Sequence, residues 1–257
     1  MKDVNLQSRY AKQKPFLLAK HKCDRLEWAL RYKDWTPEHW AKVIWSDEAL
    51  IRIGQDPRWH RVIRSIGKGL QERYLRPSFK SNQVTIMVWA CFCGDKLGPI
   101  LPLHQGGIGA VEYMEILSGD LMSMIDDLLG HLADQDTIRV VDENSLLFMH
   151  DNVPCHRDRR VPKLLYKYSI PVMHWPLQSP DWNPLENVWP DIKHRFYKRF
   201  IELGACPSTS SAAIAQYSKM IQKAWAEVDW GFLYRLIESM PGQVAAVIAA
   251  NGGSTKY

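Results

Sequence analysis

A nearly continuous apolar run at residues 83–93 (QVTIMVWACFC) limits the folds open to this chain more than any other feature of its sequence. Glycines and polar residues flank the run, and its length suits a single strand. A strand that is apolar throughout must be covered on both faces, as in the middle of a sheet with layers on either side. We therefore expect a central strand here, inside a layered α/β domain.

The remaining pattern predicts strands that alternate with helices in the second half of the chain. Strands are expected at 42–53, 83–93, 99–103, 146–149 and 170–174; helices are expected at 22–32, from Pro37, and at 111–129, 159–168, 184–200, 209–227 and 229–250. A Gly-rich hairpin is expected after the first strand, through Gly54, Gly67 and Gly69. We interpret residues 36–257 as one α/β domain and residues 1–35 as a basic, partly helical lead-in.

The positive charge is concentrated at the start of the chain. Residues 1–34 hold nine basic against four acidic residues, an excess that equals the formal net charge of +5 for the whole sequence. Such a balance permits a nucleic-acid partner but does not require one. A solvated helix face explains the same residues equally well.

Composition indicates a soluble protein inside the cell. No apolar run approaches the roughly 18 residues that span a bilayer, and the polar, basic first residues are unlike a secretory signal. The five cysteines are odd in number and widely spread, which favours free thiols in a reducing compartment. We expect no membrane partner.

Three acids occupy positions where local structure gives a carboxylate little reason to be. Asp47 ends the apolar run 43–46, Asp151 directly follows the run 146–150, and Glu186 falls in the first turn of the helix expected from Pro184. Strand ends in open α/β sheets meet at a crevice. Carboxylates that converge there suit Mg²⁺ or Mn²⁺. Two such ions, about 3.5–4 Å apart, activate the attacking and leaving oxygens of a phosphodiester.

Spacing alone leaves simpler interpretations open for each acid. Asp47 can cap the following turn, and Asp151 with Asn152 can form a local Asx turn. The segment Asn183–Glu186 has the form of a helix capping box.

Three sequence blocks distinguish between these interpretations. WSDEA at 45–49, HDNVPCH at 150–156 and QSPDWNPLENVW at 178–189 resemble the catalytic blocks of the Tc/mariner superfamily of DDE transposases. The 34 residues between Asp151 and Glu186 are typical of the Tc-like branch. KPFL at 14–17, DWTPEHW at 34–40 and the ending SMPGQVAAVIAANGGSTKY are similar to that branch too. The resemblance spans nearly the whole chain.

The resemblance implies an RNase H-like domain, with a mixed five-stranded sheet flanked by helices and a C-terminal helical tail. It implies that Asp47, Asp151 and Glu186 are catalytic residues and ligands of Mg²⁺ or Mn²⁺, with two ions expected. The implied activity is metal-dependent DNA strand cleavage, followed by attack of the freed 3′-hydroxyl on target DNA. The implied partners are double-stranded DNA and a second copy of the chain, in the nucleus, with no small-molecule cofactor.

Basic and polar residues near these blocks are candidate DNA contacts. The set is Lys193, Asn152, His156, Arg157, Arg159, Arg160, Lys12 and Lys14. Lys193 stands two helical turns from Glu186, on the same face, and the arginines can contact the phosphate backbone. A solvated lysine and local turn hydrogen bonds are the alternatives. For Trp175, Trp182 and Trp189, stacking on an unpaired base is possible, but core packing is favoured.

One departure from the family leaves a second function open. Its members carry two helix-turn-helix units ahead of the linker, and only thirteen residues precede KPFL here. We therefore expect a catalytic domain that lacks the N-terminal DNA-binding domain. The alternative is a truncated or domesticated, transposase-derived DNA-binding protein without catalytic activity. Another RNase H-like enzyme, such as an integrase or structure-specific nuclease, fits the 34-residue interval and the C-terminal ending less well.

Overall fold

Among the described residues, two helices and three consecutive strands come first, a helical segment, a short strand and a helix follow, and three long helices end the fold. The computed structural model describes residues 14–53, 84–103, 107–130, 146–203 and 207–256. The strands in these ranges are β1 (Val43–Ile53), β2 (Val84–Cys93), β3 (Lys96–Leu103) and β4 (Leu147–Met149). The helices are α1 (Ala19–Arg31), α2 (Pro37–Trp40), α3 (Ala110–Ile116), α4 (Met122–Gly130), α5 (Arg160–Lys167), α6 (Leu185–Glu202), α7 (Ser211–Ala226) and α8 (Trp230–Ala249).

The four strands form one mixed sheet with the order β3-β2-β1-β4. β1 pairs antiparallel with β2 and β2 pairs antiparallel with β3, whereas β4 lies parallel to β1. The apolar run identified in the sequence is β2, which lies between two other strands and is covered on both faces. The expected α/β architecture is thus confirmed.

Alternate side chains of the central strands enter two separate cores. On β1, Trp45 and Ala49 pack in the core formed with α1, α6, α7 and α8. Ile44, which points to the opposite face, packs in the core formed with α3, α4 and α5. The period of two along a strand therefore assigns consecutive residues of β1 to different layers. This alternation decides which neighbours each side chain of the site has.

The prediction of a fifth strand at residues 170–174 is corrected by the structure. The segment forms a single parallel bridge, between Phe148 and Val172. Its two hydrogen bonds run from the Phe148 amide to the Pro171 carbonyl and from the Met173 amide to the Phe148 carbonyl, both 2.8 Å. Pro171 has no N–H to donate, and β4 offers only three residues as a partner, so a longer ladder cannot form. The sheet of the described residues has four strands.

Other element boundaries differ from expectation by a few residues. The helix expected at 111–129 is α3 and α4 joined by a π-helical turn, Leu117–Leu121. β3 begins at Lys96, and β1 continues through Glu48 without a break. The expected Gly-rich hairpin at 54–83 lies outside the described residues. Among the helices described, none has both the length and the apolar character that crossing a membrane requires.

A buried arginine connects the beginning of the described chain to its end. Arg25 of α1 is 1% exposed and donates to both carboxylate oxygens of Asp181, at 2.9 and 3.0 Å. It also donates to the Gly252 carbonyl at 3.0 Å and lies 3.9 Å over the Trp182 ring. Gly252 adopts a positive φ of 74° against the Lys22 backbone, where a Cβ has no room. The loop that precedes α6 is therefore fixed from both ends of the fold.

Candidate active site

Asp47 and Asp151 occupy equivalent positions on two neighbouring parallel strands. The last pair between β1 and β4 is Trp45 with Met149, so both aspartates lie two residues beyond it. Adjacent strands are about 4.8 Å apart, and the Ser46 hydroxyl donates to the Met149 carbonyl at 2.8 Å, which fixes this register. β1 runs on to Ile53, the end expected from the sequence, so Asp47 lies inside its strand although it follows the apolar run. β4 stops at Met149, so the pairing of these two strands ends before Asp47.

The start of α6 is joined directly to the strand that carries Asp47. The buried Asn183 side chain accepts from the Leu185 amide and donates to the Ser46 carbonyl, both at 3.1 Å. One helical turn later, Trp189 Nε1 donates to Asp47 Oδ2 at 2.8 Å. Because residues three apart share a helix face, Glu186 lies on the side of α6 that faces Asp47.

The electrostatics link Glu186 to each of the two aspartates. Burial raises the pKa of Asp47 well above its usual value, and the charge of Glu186 raises it further, against the hydrogen bond from Trp189. Burial and the charge of Asp151 raise the pKa of Glu186, while Lys193 acts in the opposite direction. The fold therefore brings together three acids that are far apart in the sequence.

Asp151 is the carboxylate with the strongest hydrogen-bond support. Burial alone would raise the pKa of Asp151, but hydrogen bonds from His156 and the Val153 amide outweigh it, so that the pKa is lowered. His156 Nδ1 lies 2.9 Å from Asp151 Oδ1, and the Val153 amide donates to the same oxygen at 3.1 Å. The second contact is the Asx turn considered from the sequence. The local turn and a role in the site are therefore compatible.

His156 lies between two carboxylates on the other side of the sheet from Trp189. Its side chain is 2% exposed, and its Nε2 is 3.3 Å from Glu48 Oε1, in an alignment that makes no hydrogen bond. Burial would lower the pKa of His156, but Asp151 and Glu48 raise it to about 9. Glu48 was not identified from the sequence. The available signal was its place directly after Asp47, which turns its side chain to the opposite face of β1.

A second histidine and a tyrosine enclose His156. The Tyr113 ring of α3 stacks on His156 with 3.9 Å between ring centroids, and the Tyr113 hydroxyl lies 2.9 Å from His150 Nδ1. Burial and the charge of His156 lower the pKa of His150 to about 3. His150 is therefore neutral at physiological pH. These contacts hold the His156 ring in one orientation.

The remaining candidate DNA contacts differ in how much of each side chain is accessible. Lys193 is close enough to Glu186 for its positive charge to oppose the increase in the pKa of Glu186. Asn152 donates to the Trp175 carbonyl at 2.6 Å and so anchors the loop after Asp151. Exposed side chains are found for Arg157, Arg159, Arg160 and Lys14, with Arg160 paired to Asp158 at 2.9 Å; Lys12 lies outside the described residues.

Core packing is confirmed for the three tryptophans near the glutamate. Trp175, Trp182 and Trp189 are 6%, 1% and 2% exposed. Trp182 stacks on Trp28, with 4.9 Å between ring centroids. The contact of Trp189 with Asp47 was not foreseen, because it depends on how α6 packs against β1.

The three carboxylates suit a divalent cation. Each offers only oxygen ligands, and Mg²⁺ and Mn²⁺ prefer these. Acids that raise one another's pKa repel, and a cation between them removes that repulsion. Among the described residues, the group whose possible ligand atoms all lie within 4.8 Å of one another is a different one, Glu48, Asp151 and His156. Asp151 belongs to both groups.

Comparison with known proteins identifies relatives over the full described fold. Residues 104–204 match the family described as DDE superfamily endonuclease. The chain is 31% identical to the transposable element Tcb1 transposase of Caenorhabditis briggsae over 99% of this chain and 84% of that protein. It is 29% identical to the Tc1 transposase of Caenorhabditis elegans over 100% of this chain and 85% of that protein. The structure of the Mos1 mariner paired end complex with Mn superposes with a TM-score of 0.67 at 16% identity, over 98% of this chain and 69% of that chain.

Proposed function

Because this chain belongs to the Tc/mariner superfamily of DDE transposases, and is a transposase catalytic domain with an RNase H-like fold, we propose that Asp47, Asp151 and Glu186 are its catalytic triad. The observation that carries the proposal is the register of β1 and β4. It sets the two aspartates side by side, with Glu186 within electrostatic reach of both.

The proposed ligands of the metal are these three carboxylates. Two ions are expected, Mg²⁺ or Mn²⁺, and the presence of Mn in the Mos1 paired end complex, which shares this fold, supports the use of a divalent cation. When bound, such ions stabilise the charge that develops on the attacking and leaving oxygens of a phosphodiester. The protein contributes the positions of these ligands. Trp189 holds Asp47, Asn183 fixes the start of α6, and the turn at Val153 fixes Asp151.

The proposed substrate is double-stranded DNA. Hydrolysis of a phosphodiester frees a 3′-hydroxyl at the transposon end, and that hydroxyl then attacks a phosphodiester of the target DNA. Lys193 is placed on α6 to contact a phosphate beside the carboxylates. Arg157, Arg159 and Arg160 lie just beyond Asp151 and would contact the backbone of the same DNA. We further propose a homodimer that pairs two transposon ends in the nucleus, as expected for this superfamily.

The test is nicking of a supercoiled plasmid or a transposon-end duplex by the purified protein in Mg²⁺ or Mn²⁺. Asp47→Asn, Asp151→Asn and Glu186→Gln should each abolish product formation, because each removes an anionic ligand while keeping the side-chain shape. Asp158→Asn is the matched control, since Asp158 is paired with Arg160 outside the triad. Nicking at the parent rate by any triad variant would disprove the assignment of that residue.

A further inference from the structure

Asp151 Oδ1 has two close partners on the protein side. The Val153 amide donates to it at 3.1 Å, and His156 Nδ1 lies 2.9 Å from it as an ion-pair partner. The hydrogen bond of the same Nδ1 is to the Asp151 carbonyl oxygen, at 3.1 Å. A carboxylate and a carbonyl offer only acceptors, so Nδ1 must carry the hydrogen. Among the described residues, Asp151 Oδ2 makes no hydrogen bond, and it is the oxygen left for a ligand.

The orientation of His156 is fixed from three directions. Tyr113 covers one face of the ring at a centroid distance of 3.9 Å. Nδ1 is held by Asp151, and Nε2 faces Glu48 Oε1 at 3.3 Å. Glu48 Oε1 and His156 Nε2 are both buried without a hydrogen-bond partner among the described residues. A buried carboxylate and a buried imidazole that face each other are costly to separate, so Glu48 keeps the ring turned with Nδ1 toward Asp151.

These three residues could instead bind an ion of their own, since their possible ligand atoms lie within 4.8 Å of one another. The ring geometry argues against this. Asp151 faces Nδ1 and Glu48 faces Nε2, and the lone pairs of the two ring nitrogens point in different directions. One ion cannot therefore be bound by the ring and by both carboxylates. The Nδ1 side is also already engaged by a hydrogen bond.

We propose that Glu48 and His156 are positioning residues for the metal site: Glu48 orients the imidazole, and His156 fixes Asp151 through Oδ1 so that Oδ2 is presented to the cation. This proposal rests on the assignment of Asp151 as a metal ligand. The His156 and Glu48 side chains themselves do not touch the metal. A hydrogen-bonded support of this kind orients a ligand before the ion arrives, and its loss typically weakens metal affinity by about 10–100-fold.

The experiment measures Mn²⁺ affinity by electron paramagnetic resonance of the free ion, without DNA and without turnover. His156→Leu should weaken Mn²⁺ binding by about 10–100-fold. His156→Asn places an amide Nδ2 close to the position of the histidine Nδ1 and should recover most of the affinity. Glu48→Gln keeps the side-chain shape without the charge and should weaken binding by less than His156→Leu. Asp158→Asn, which removes a carboxylate paired with Arg160 outside this cluster, is the matched control and should bind Mn²⁺ as the parent does.

The comparison of His156→Asn with His156→Leu separates positioning from packing, because a packing role gives no reason for the amide to rescue Mn²⁺ affinity. Should the leucine variant fail to fold, Glu48→Gln and His156→Asn provide the comparison. Parental affinity in both His156→Leu and Glu48→Gln would overturn the proposal, as would loss of one bound Mn²⁺ per chain in Glu48→Gln.

Asp151→Asn is measured alongside. If Asp151→Asn leaves Mn²⁺ binding intact, the assignment of Asp151 as a metal ligand fails. If Asp151→Asn loses Mn²⁺ affinity but His156→Leu does not, only the positioning role of His156 is refuted.

Discussion

Asp47 is held differently from the other two carboxylates of the site. It is the one whose pKa is raised furthest by burial, and the hydrogen bonds that oppose this increase come from the Trp189 indole and, more weakly, from the Glu48 backbone. Asp151 is supported by the Val153 amide and by His156, and Glu186, in the first turn of α6, is the most accessible of the three. The Trp189 indole is therefore the main hydrogen-bond support of Asp47.

Trp189→Phe tests that support. The substitution keeps an aromatic ring in the core but removes the donor to Asp47. A hydrogen bond to a charged group contributes about 1.5–3 kcal/mol, and each 1.36 kcal/mol corresponds to about a tenfold change in rate. We expect nicking to slow by about ten- to a hundredfold, measured as the initial rate at saturating Mn²⁺.

Trp40→Phe is the matched control. Trp40 of α2 is also a buried tryptophan, but its indole N–H has no hydrogen-bond partner among the described residues and its ring packs against other tryptophans, not against Trp189. It should lose similar stability and keep the parental nicking rate. If the two variants lose activity to the same extent, packing rather than the hydrogen bond to Asp47 explains the effect.

The sequence predicts single residues well only where the local pattern itself is unusual. Acids at the end of an apolar run are conspicuous, and Asp47 and Asp151 both lie two residues beyond the last pair of β1 with β4; that they form a triad with Glu186 stays a prediction. Glu48 and Trp189 carry no such local signal. Their contacts arise from the alternation of β1 and from the packing of α6 against it, which are tertiary features.

At the scale of elements, α5 joins the site to the outer surface. Val161 and Leu165 bury one side of the helix, while Arg159, Lys163 and Tyr166 are exposed on the other. These exposed residues recur at helical spacing and so form one stripe. Because α5 follows closely after Asp151, DNA bound at the carboxylates would pass this stripe.

Replacing Arg159 and Lys163 together by serine tests whether the stripe contacts phosphates. Each lost phosphate contact lowers the slope of log affinity against log salt concentration by about 0.9. We expect the double variant to lose nearly two units of slope, measured by fluorescence anisotropy on a transposon-end duplex in EDTA. Lys219→Ser on α7 removes an exposed charge elsewhere and should leave the slope close to that of the parent. An unchanged slope in the double variant would remove α5 from the proposed DNA path.

Helices were predicted accurately where the apolar pattern repeats over several turns, and a strand was predicted wrongly where its partner strand is short. α6, α7 and α8 were located to within a few residues, because their apolar positions recur over several turns. The pattern of residues 170–174 predicts a strand, but whether these residues pair with β4 depends on the length of β4 and on Pro171. The sequence of the segment alone does not contain that information.

At the scale of the whole molecule, the Arg25 cluster links elements that are distant in the chain. One guanidinium connects α1, the Asp181 loop before α6 and the Gly252 turn after α8. That loop leads directly to Asn183 and Glu186. The lead-in helix therefore supports the position of the catalytic helix, which its basic composition did not suggest.

Arg25→Met should be strongly destabilising, because it leaves Asp181 buried without its partner. Removing one member of a buried ion pair costs about 3–5 kcal/mol, and we expect a loss of this size in the free energy of unfolding by urea. Adding Asp181→Leu should recover much of it, since no charge then remains unpaired. Arg31→Met, which removes an exposed pair with Glu27, should cost at most about 1 kcal/mol. A loss for Arg25→Met no larger than that for Arg31→Met would contradict this role.

The central claim is that Asp47, Asp151 and Glu186 bind divalent cations together, and a crystal soaked in Mn²⁺ tests it most directly. The measurement is the anomalous difference density at the manganese absorption edge. We predict a peak in contact with the carboxylates of both Asp47 and Asp151, with no ion bound to His156. A peak held only by Glu48 and His156, or the absence of any peak beside Asp47 at saturating Mn²⁺, would contradict it.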